Sequence, residues 1–226
     1  MSRLSLRAIA VAIAVAGCFA SGAASAATTA QLAAFFRSVQ IDDVGTVRTM
    51  LATGSVSANA LNPVGGEPGL IVALREGASR VATVLLADPA IALELNAPNG
   101  NTALMMAAFK HNAPAVRALL AKGAIVNRPG WTALHFAAAS GDDEITKLLL
   151  EHHAHIDADA PARFTPLMIA AREGHESTVR LLLDAGADAS LKNTEGLSAA
   201  QIAERADKPL IAAAIAAQLD AQKIMR

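Results

Sequence analysis

Three imidazoles within four residues, His152-His153-Ala-His155, make the densest group of metal-capable side chains in the sequence. Such a cluster suits zinc, copper or nickel. Asp157 and Asp159 follow closely, yet no cysteine stands with them, and closing a four-ligand set is what a specific site requires. The plainer reading is that His152 and His153 end a helix, where positive or dipolar groups suit the carbonyl terminus. A second tempting group is Ser140-Gly-Asp142 near His135, which has the residue types of a hydrolase. Geometry rather than composition would have to assign those roles. There is no phosphate-cradling glycine loop with its lysine, no nucleophile elbow and no metalloprotease helix pair. The residues therefore argue for a chain that is not an enzyme and that calls for no cofactor.

Four copies of one cadence hold these groups in place: Thr102-Ala-Leu-Met-Met-Ala-Ala, Thr132-Ala-Leu-His-Phe-Ala-Ala, Thr165-Pro-Leu-Met-Ile-Ala-Ala and Ser198-Ala-Ala-Gln-Ile-Ala. Their leading positions are 30, 33 and 33 residues apart, and the first three are each followed by a second apolar run. A period of this length marks stacked repeats. Thr165 can cap a helix whose first residue, Pro166, lacks a donor that would be unpaired there anyway. Paired alanines such as Ala107-Ala108, Ala137-Ala138 and Ala170-Ala171 favour helix and let neighbours approach closely. Gly141 and Gly174 fall between the two apolar runs, and Gly123 and Gly186 follow the second, where helices often end left-handed. His111 and His153 stand at two such positions, and histidine enters positive φ more readily than most residues.

The run from Thr165 through Gly174-His-Glu-Ser-Thr-Val-Arg-Leu-Leu-Leu-Asp-Ala-Gly-Ala-Asp-Ala resembles the ankyrin repeat nearly position for position, and Trp131-Thr-Ala-Leu-His-Phe-Ala-Ala-Ala-Ser-Gly-Asp resembles it closely. Weaker copies run back through Gly69-Leu-Ile-Val-Ala-Leu-Arg-Glu-Gly and Ala34-Phe-Phe-Arg-Ser-Val. Taking Ala33, Pro68, Thr102, Thr132, Thr165 and Ser198 as equivalent gives steps of 35, 34, 30, 33 and 33. The resemblance implies an all-α solenoid of six helix–turn–helix units with finger loops, occupying 27–226 as one domain. The finger into the fourth unit is three residues short, so Arg128-Pro-Gly must turn tightly, while Pro89–Asn96 carries an extra residue. Atypical end units are expected of a stack: Phe35 and Phe36 close one end, and Leu210, Ile211, Ala214, Ile215 and Leu219 cover the other.

In such proteins the fingers and first helices line a concave surface that usually grips another protein. The residue before each cap projects onto it, here Asn101, Trp131, Phe164 and Leu197, with Phe109, Lys110, Ser140, Arg172 and Glu173 flanking from the helices. Exposed aromatic anchors on a rigid scaffold are the makings of a hot spot. The resemblance also gives His135 and His175 a hydrogen-bonding, structural role.

The ends and composition narrow the setting. Arg3 and Arg7, the apolar run Ala8 to Ala20 and the small residues Ala24-Ser-Ala26 form a signal peptide at 1–26, with the periplasm as destination. An alternative is lipidation at Cys18 in Val15-Ala-Gly-Cys18, which would tether the protein to a membrane as an assembly factor. That cysteine is the only one, so a chain cut after Ala26 has no thiol. Net charge is −1, or about −3 without Arg3 and Arg7. Scattered basic residues and the lack of tyrosine speak against nucleic acid as partner. The expected partner is another protein, with metal binding or stress protection through His152, His153 and His155 as the alternative function.

Overall fold

Helices form here because most of the short apolar runs are bounded by a capping side chain, a left-handed stop or both. The computed structural model describes residues 26–224, so the leader read at 1–26, including Cys18, lies outside the described residues except for Ala26. Twelve α-helices and no named strand occur among the described residues, arranged as six antiparallel pairs. The pairs are α1 Thr29–Gln40 with α2 Val44–Ala52, α3 Gly69–Glu76 with α4 Ser79–Ala87, and α5 Ala103–Phe109 with α6 Ala113–Ala121. They continue as α7 Ala133–Ser140 with α8 Asp143–Glu151, α9 Pro166–Glu173 with α10 Glu176–Asp184, and α11 Ala199–Arg205 with α12 Pro209–Ile224. Odd-numbered helices stack on one another as an inner layer and even-numbered helices as an outer one. The inner layer is the tighter, as its alanines allow: Ala73, Ala107, Ala108, Ala137, Ala138, Ala170 and Ala171 are all fully buried.

Six backbone angles show the units to be equivalent. Nine residues beyond Ala33, Pro68, Thr102, Thr132, Thr165 and Ser198, the chain turns left-handed at Asp42 (56°), Gly77 (73°), His111 (55°), Gly141 (73°), Gly174 (91°) and Asp207 (58°). His111 and His153 (60°) do enter positive φ, and aspartate serves at two further junctions. The second unit ends its outer helix differently. Asp88 leaves α4 in an extended conformation, φ −65° and ψ 126°, because Pro89 disfavours a helical residue before it.

Capping follows the sequence closely. Hydroxyls of Thr102, Thr165 and Ser198 accept from the backbone N–H three residues on, at 3.2, 3.3 and 3.4 Å. At the first unit the helix begins earlier than Ala33: Thr28 caps α1 and Gln31 completes the capping box, giving one more turn of helix ahead of the repeat. Phe35 and Phe36 lie buried in that helix, edge-to-face at 5.3 Å, against Gly69 of the next unit.

The far end needs one correction. Ile211 and Ile215 are buried and Ala214 and Leu219 half-buried, but Leu210 is 78% exposed. Helix α12 turns its Ile211–Ile215 stripe to the stack, with Ala212 beside it, and Leu210 points to the opposite side.

Adjacent fingers are sewn together by side chains that reach the backbone of the next. Asn59 donates to the Ala90 carbonyl (2.7 Å) and accepts from Ala92 N–H (2.8 Å), and Asn127 makes the same two-bond clip to His153 and His155 (2.7 and 2.8 Å). Glu94 and Asp157 accept from Ile125 and Asp188 N–H at 2.8 and 3.0 Å. The finger turns close on left-handed Gly66, Gly100, Gly130 and Gly196, but the fifth unit has Arg163 there, at φ 59°, in a 3-10 turn Pro161–Arg163. Thr194 of the following finger donates to the carbonyl of Ala162 in this turn (3.0 Å).

Candidate functional site

Of the large apolar residues that meet water, Ile41, Leu61, Val64, Ile125 and Leu210 are scattered, while the two aromatic ones, Phe109 and Trp131, come together on the third and fourth units. Phe109 ends α5 with 45% of its surface exposed, and Trp131, just before the cap of α7, is 39% exposed. Phe136 of α7 stands between them, half-buried, its ring edge-on to Phe109 at 6.1 Å and to Trp131 at 6.2 Å. Trp131 also sits edge-on to His135 at 5.4 Å. These contacts fix the rings against one another, in the arrangement that aromatic quadrupoles favour.

His135 anchors the cluster from below. It is fully buried, with Nε2 3.0 Å from the Phe164 carbonyl and Nδ1 3.2 Å from the Thr132 amide nitrogen. A carbonyl can only accept and an amide N–H can only donate, so the ring is neutral with its proton on Nε2. Burial holds the imidazole below the usual histidine range, while hydrogen bonding to the Phe164 and Ala158 backbone and the charge of Asp159 pull the other way. The imidazole thereby ties the cap of the fourth unit to the finger of the fifth. His175 makes a comparable tie in the fifth unit, donating from Nε2 to the Ala139 carbonyl at 3.0 Å.

The row before the caps is uneven. Asn101, Phe164 and Leu197 are half-buried, and Phe164 and Leu197 pack against the core, so the exposed apolar surface of the row is concentrated at Trp131. The guanidinium of Arg172 lies 5.5 Å from the Phe164 ring centroid and pairs with Glu173 at 2.9 Å. Lys110 is exposed at the C-cap of α5, and Ser140 is half-buried, donating to the Ala137 carbonyl at 3.1 Å. Sequence reasoning does not single out Phe136 and Ala139. The available signal is a phenylalanine at the position where the neighbouring units carry Met106 and Ile169, three residues before a small Ala139.

The histidine cluster lies at the end of α8 and in the finger that follows it. Asn127 clips the backbone at His153 and His155, His153 turns left-handed, and His152 caps α8. Among the described residues no three His, Cys, Asp or Glu side chains converge on a point. Ser140, Asp142 and His135 likewise stay apart in role. Asp142 caps α8 through Ile145 N–H (2.9 Å) and meets His111 at 3.0 Å, with His135 committed as above. Among the described residues no helix is long and apolar enough to cross a membrane.

Known proteins place this architecture. The family profile of ankyrin repeats, three copies, matches residues 70–160 and 125–193. The chain is 36% identical over 139 residues to the mouse nuclear factor NF-kappa-B p105 subunit, covering 58% of the chain and 14% of that protein. It is 42% identical over 94 residues to mouse protein fem-1 homolog A-like, covering 40% of the chain and 14% of that protein. To protein glp-1 of Caenorhabditis elegans it is 33% identical over 141 residues, 55% of the chain and 11% of that protein. The chain thus spans about one-seventh or less of the length of these curated relatives. Ankyrin repeats are in general protein–protein interaction modules. With its six helix pairs, its recurring left-handed junctions and a family match across more than half its length, the chain belongs to the ankyrin-repeat family.

Proposed function

We propose that this chain is a non-catalytic scaffold that holds a partner protein against the inner-helix and finger face of its third to fifth units. The observation that carries the reading is the cluster of Phe109, Phe136 and Trp131, three aromatic rings braced against each other and partly open to water. Aromatic residues that are exposed yet held still are the usual centres of binding energy, since docking immobilises little that was free. The inner helices beneath them are already ordered by buried alanines and by the His135 tie. A larger groove of about 650 Å³ lies on the outer layer, between α8 and α10. Asp143, Lys147, Glu151, Arg180 and Asp184 line it, and it holds no aromatic anchor.

We place the scaffold in the periplasm, on the strength of the leader pattern Arg3, Arg7, Ala8–Ala20 and Ala24-Ser-Ala26. Mass spectrometry of the mature amino terminus separates cleavage after Ala26 from a lipid-bearing Cys18. Crosslinking in cells identifies the captured protein. Once it is in hand, Phe109→Ala with Trp131→Ala should weaken binding by at least about 2 kcal/mol, or roughly thirtyfold, with the helical fold retained at the assay temperature. Undiminished affinity in that double variant would end the reading.

A further inference from the structure

Four of the six units start the inner helix alike: a side chain three residues beyond the cap accepts the N–H of the cap residue itself. Gln31 Oε1 takes that of Thr28 (2.8 Å), Met105 Sδ that of Thr102 (3.5 Å), His135 Nδ1 that of Thr132 (3.2 Å) and Gln201 Oε1 that of Ser198 (3.0 Å). An amide oxygen and a thioether keep their lone pairs at any ordinary pH, so only in the fourth unit can a proton remove the acceptor. The bond at stake lies under the aromatic face. His135 floors a pocket of about 220 Å³ whose walls include Phe109, Trp131, Phe136 and Arg172, and its ring is edge-on to Trp131.

An imidazolium donates from both nitrogens. Nε2 of His135 already donates to the Phe164 carbonyl, so an added proton arrives on Nδ1, where the Thr132 N–H points at it and the Thr132 hydroxyl stands 2.9 Å away. The hydroxyl can rotate to accept; the amide contact must break. The other five histidines face no such conflict. Nε2 of His175 lies at the Ala139 carbonyl and Nδ1 of His111 at the Asp142 carboxylate, to both of which an imidazolium can still donate, and His152, His153 and His155 are exposed. Of the charged groups on the elements packed around His135, Asp159 of the finger acts on the ring and favours its charged form, against the larger influence of burial. Arg172 of α9 shares the pocket and is paired with Glu173, Lys110 at the C-cap of α5 is exposed, and Asp142 before α8 is engaged with His111. We infer that His135 is a proton-operated latch: the neutral ring holds Trp131 and the Phe164 finger in place, and a proton on Nδ1 releases the Thr132 amide and lets Trp131 move while the helices stay stacked. The stack survives because the buried alanine layer and the other units do not depend on this bond. An opened face has lost the preorganisation that docking draws on.

Trp131 is the only tryptophan and tyrosine is absent, so indole emission reports this face alone. The full chain is titrated from about pH 7.5 to about pH 5, with Trp131 emission and its quenching by acrylamide read beside far-UV circular dichroism. Emission should pass through a one-proton transition below about pH 6.5, with acrylamide quenching rising at least about twofold and the helix signal unchanged. His135→Gln, which supplies the acceptor that Gln201 provides in the sixth unit, should keep the helix signal and lose the transition, whereas His111→Gln should keep both. Emission that stays flat overturns the latch, as does a transition that survives in His135→Gln. A change in emission that comes only together with loss of the helix signal means that acid unfolds the stack, and overturns it too. Should His135→Gln fail to fold, amide hydrogen exchange in the unaltered chain decides: corrected for the intrinsic pH dependence, protection at Thr132 should fall at least about tenfold between the two ends of the range, and constant protection sinks the latch. None of these outcomes touches the scaffold reading, which the Phe109 and Trp131 double variant tests separately.

Discussion

Gly77 and Gly141 end the inner helices of the second and fourth units at the same φ, 73°, so they share one backbone penalty and differ in what surrounds the missing Cβ. Nothing lies within 4 Å of that point at Gly77, whereas at Gly141 it would fall 2.6 Å from Cγ and 2.8 Å from Cε1 of His175. Alanine in a left-handed position costs roughly 1–2 kcal/mol. About 0.4–1 kcal/mol of that is recovered because the unfolded chain is less free with alanine than with glycine. Gly77→Ala should therefore destabilise by about 0.5–1 kcal/mol. Gly141→Ala carries the same net cost and must also displace the His175 ring, whose Nε2 donates to the Ala139 carbonyl. Losing that bond costs about 1 kcal/mol and an off-rotamer ring about 0.5–1.5 kcal/mol, for a total of about 2–3.5 kcal/mol. At Gly174 the nearest atom is Cε of Lys208, 2.8 Å away on a flexible chain that can swing aside, so Gly174→Ala should stay close to Gly77→Ala. Equilibrium urea unfolding of the three variants reads these differences directly. A double-mutant cycle with His175→Ala should bring the Gly141→Ala cost down to the Gly77→Ala level, a coupling of about 1.5–2.5 kcal/mol. Equal costs at 77 and 141, or no coupling to His175→Ala, would refute the account of how adjacent units lock together.

Two more expectations come from buried polar groups. Burial depresses the folded-state affinity of His135 for a proton, so the unfolded chain is protonated first and stability falls as pH drops below about 6.5. Unfolding midpoints at pH 5 and 7.5 should differ less in His135→Gln, and an unchanged difference would assign the slope to other groups. The hydroxyl of Thr146 in α8 is buried with no hydrogen-bond partner among the described residues. Thr146→Val keeps the branched shape and removes that hydroxyl, so it should raise stability by about 1 kcal/mol, measured by urea unfolding; a loss would mean that the hydroxyl is satisfied.

Much of the fold is legible because its signals are local. A threonine three residues from the amide it caps, a glycine or histidine where a helix must turn left-handed, and alanine pairs where helices touch all act within one unit and recur. Repetition then multiplies a weak local signal until its period is unmistakable. What crosses between units is a different matter. The ring of His175 is aimed at Gly141, 34 residues earlier, Arg172 covers Phe164, and the pocket joins Phe109, Trp131 and Arg172 from three helix pairs. Helical periodicity says which stripe is apolar, but not which of two neighbours on its edge will be covered, as Leu210 beside Ile211 and Trp131 beside Phe164 in their row both show. Sequence alone determined the stacking unit and its caps in the later units, because those depend on residues within a turn or two of each other, whereas the start of the first helix at Thr28 emerged only from the structure. Only the tertiary structure decided where the aromatic rings remain open to water, because exposure is set by the neighbour that packs on top.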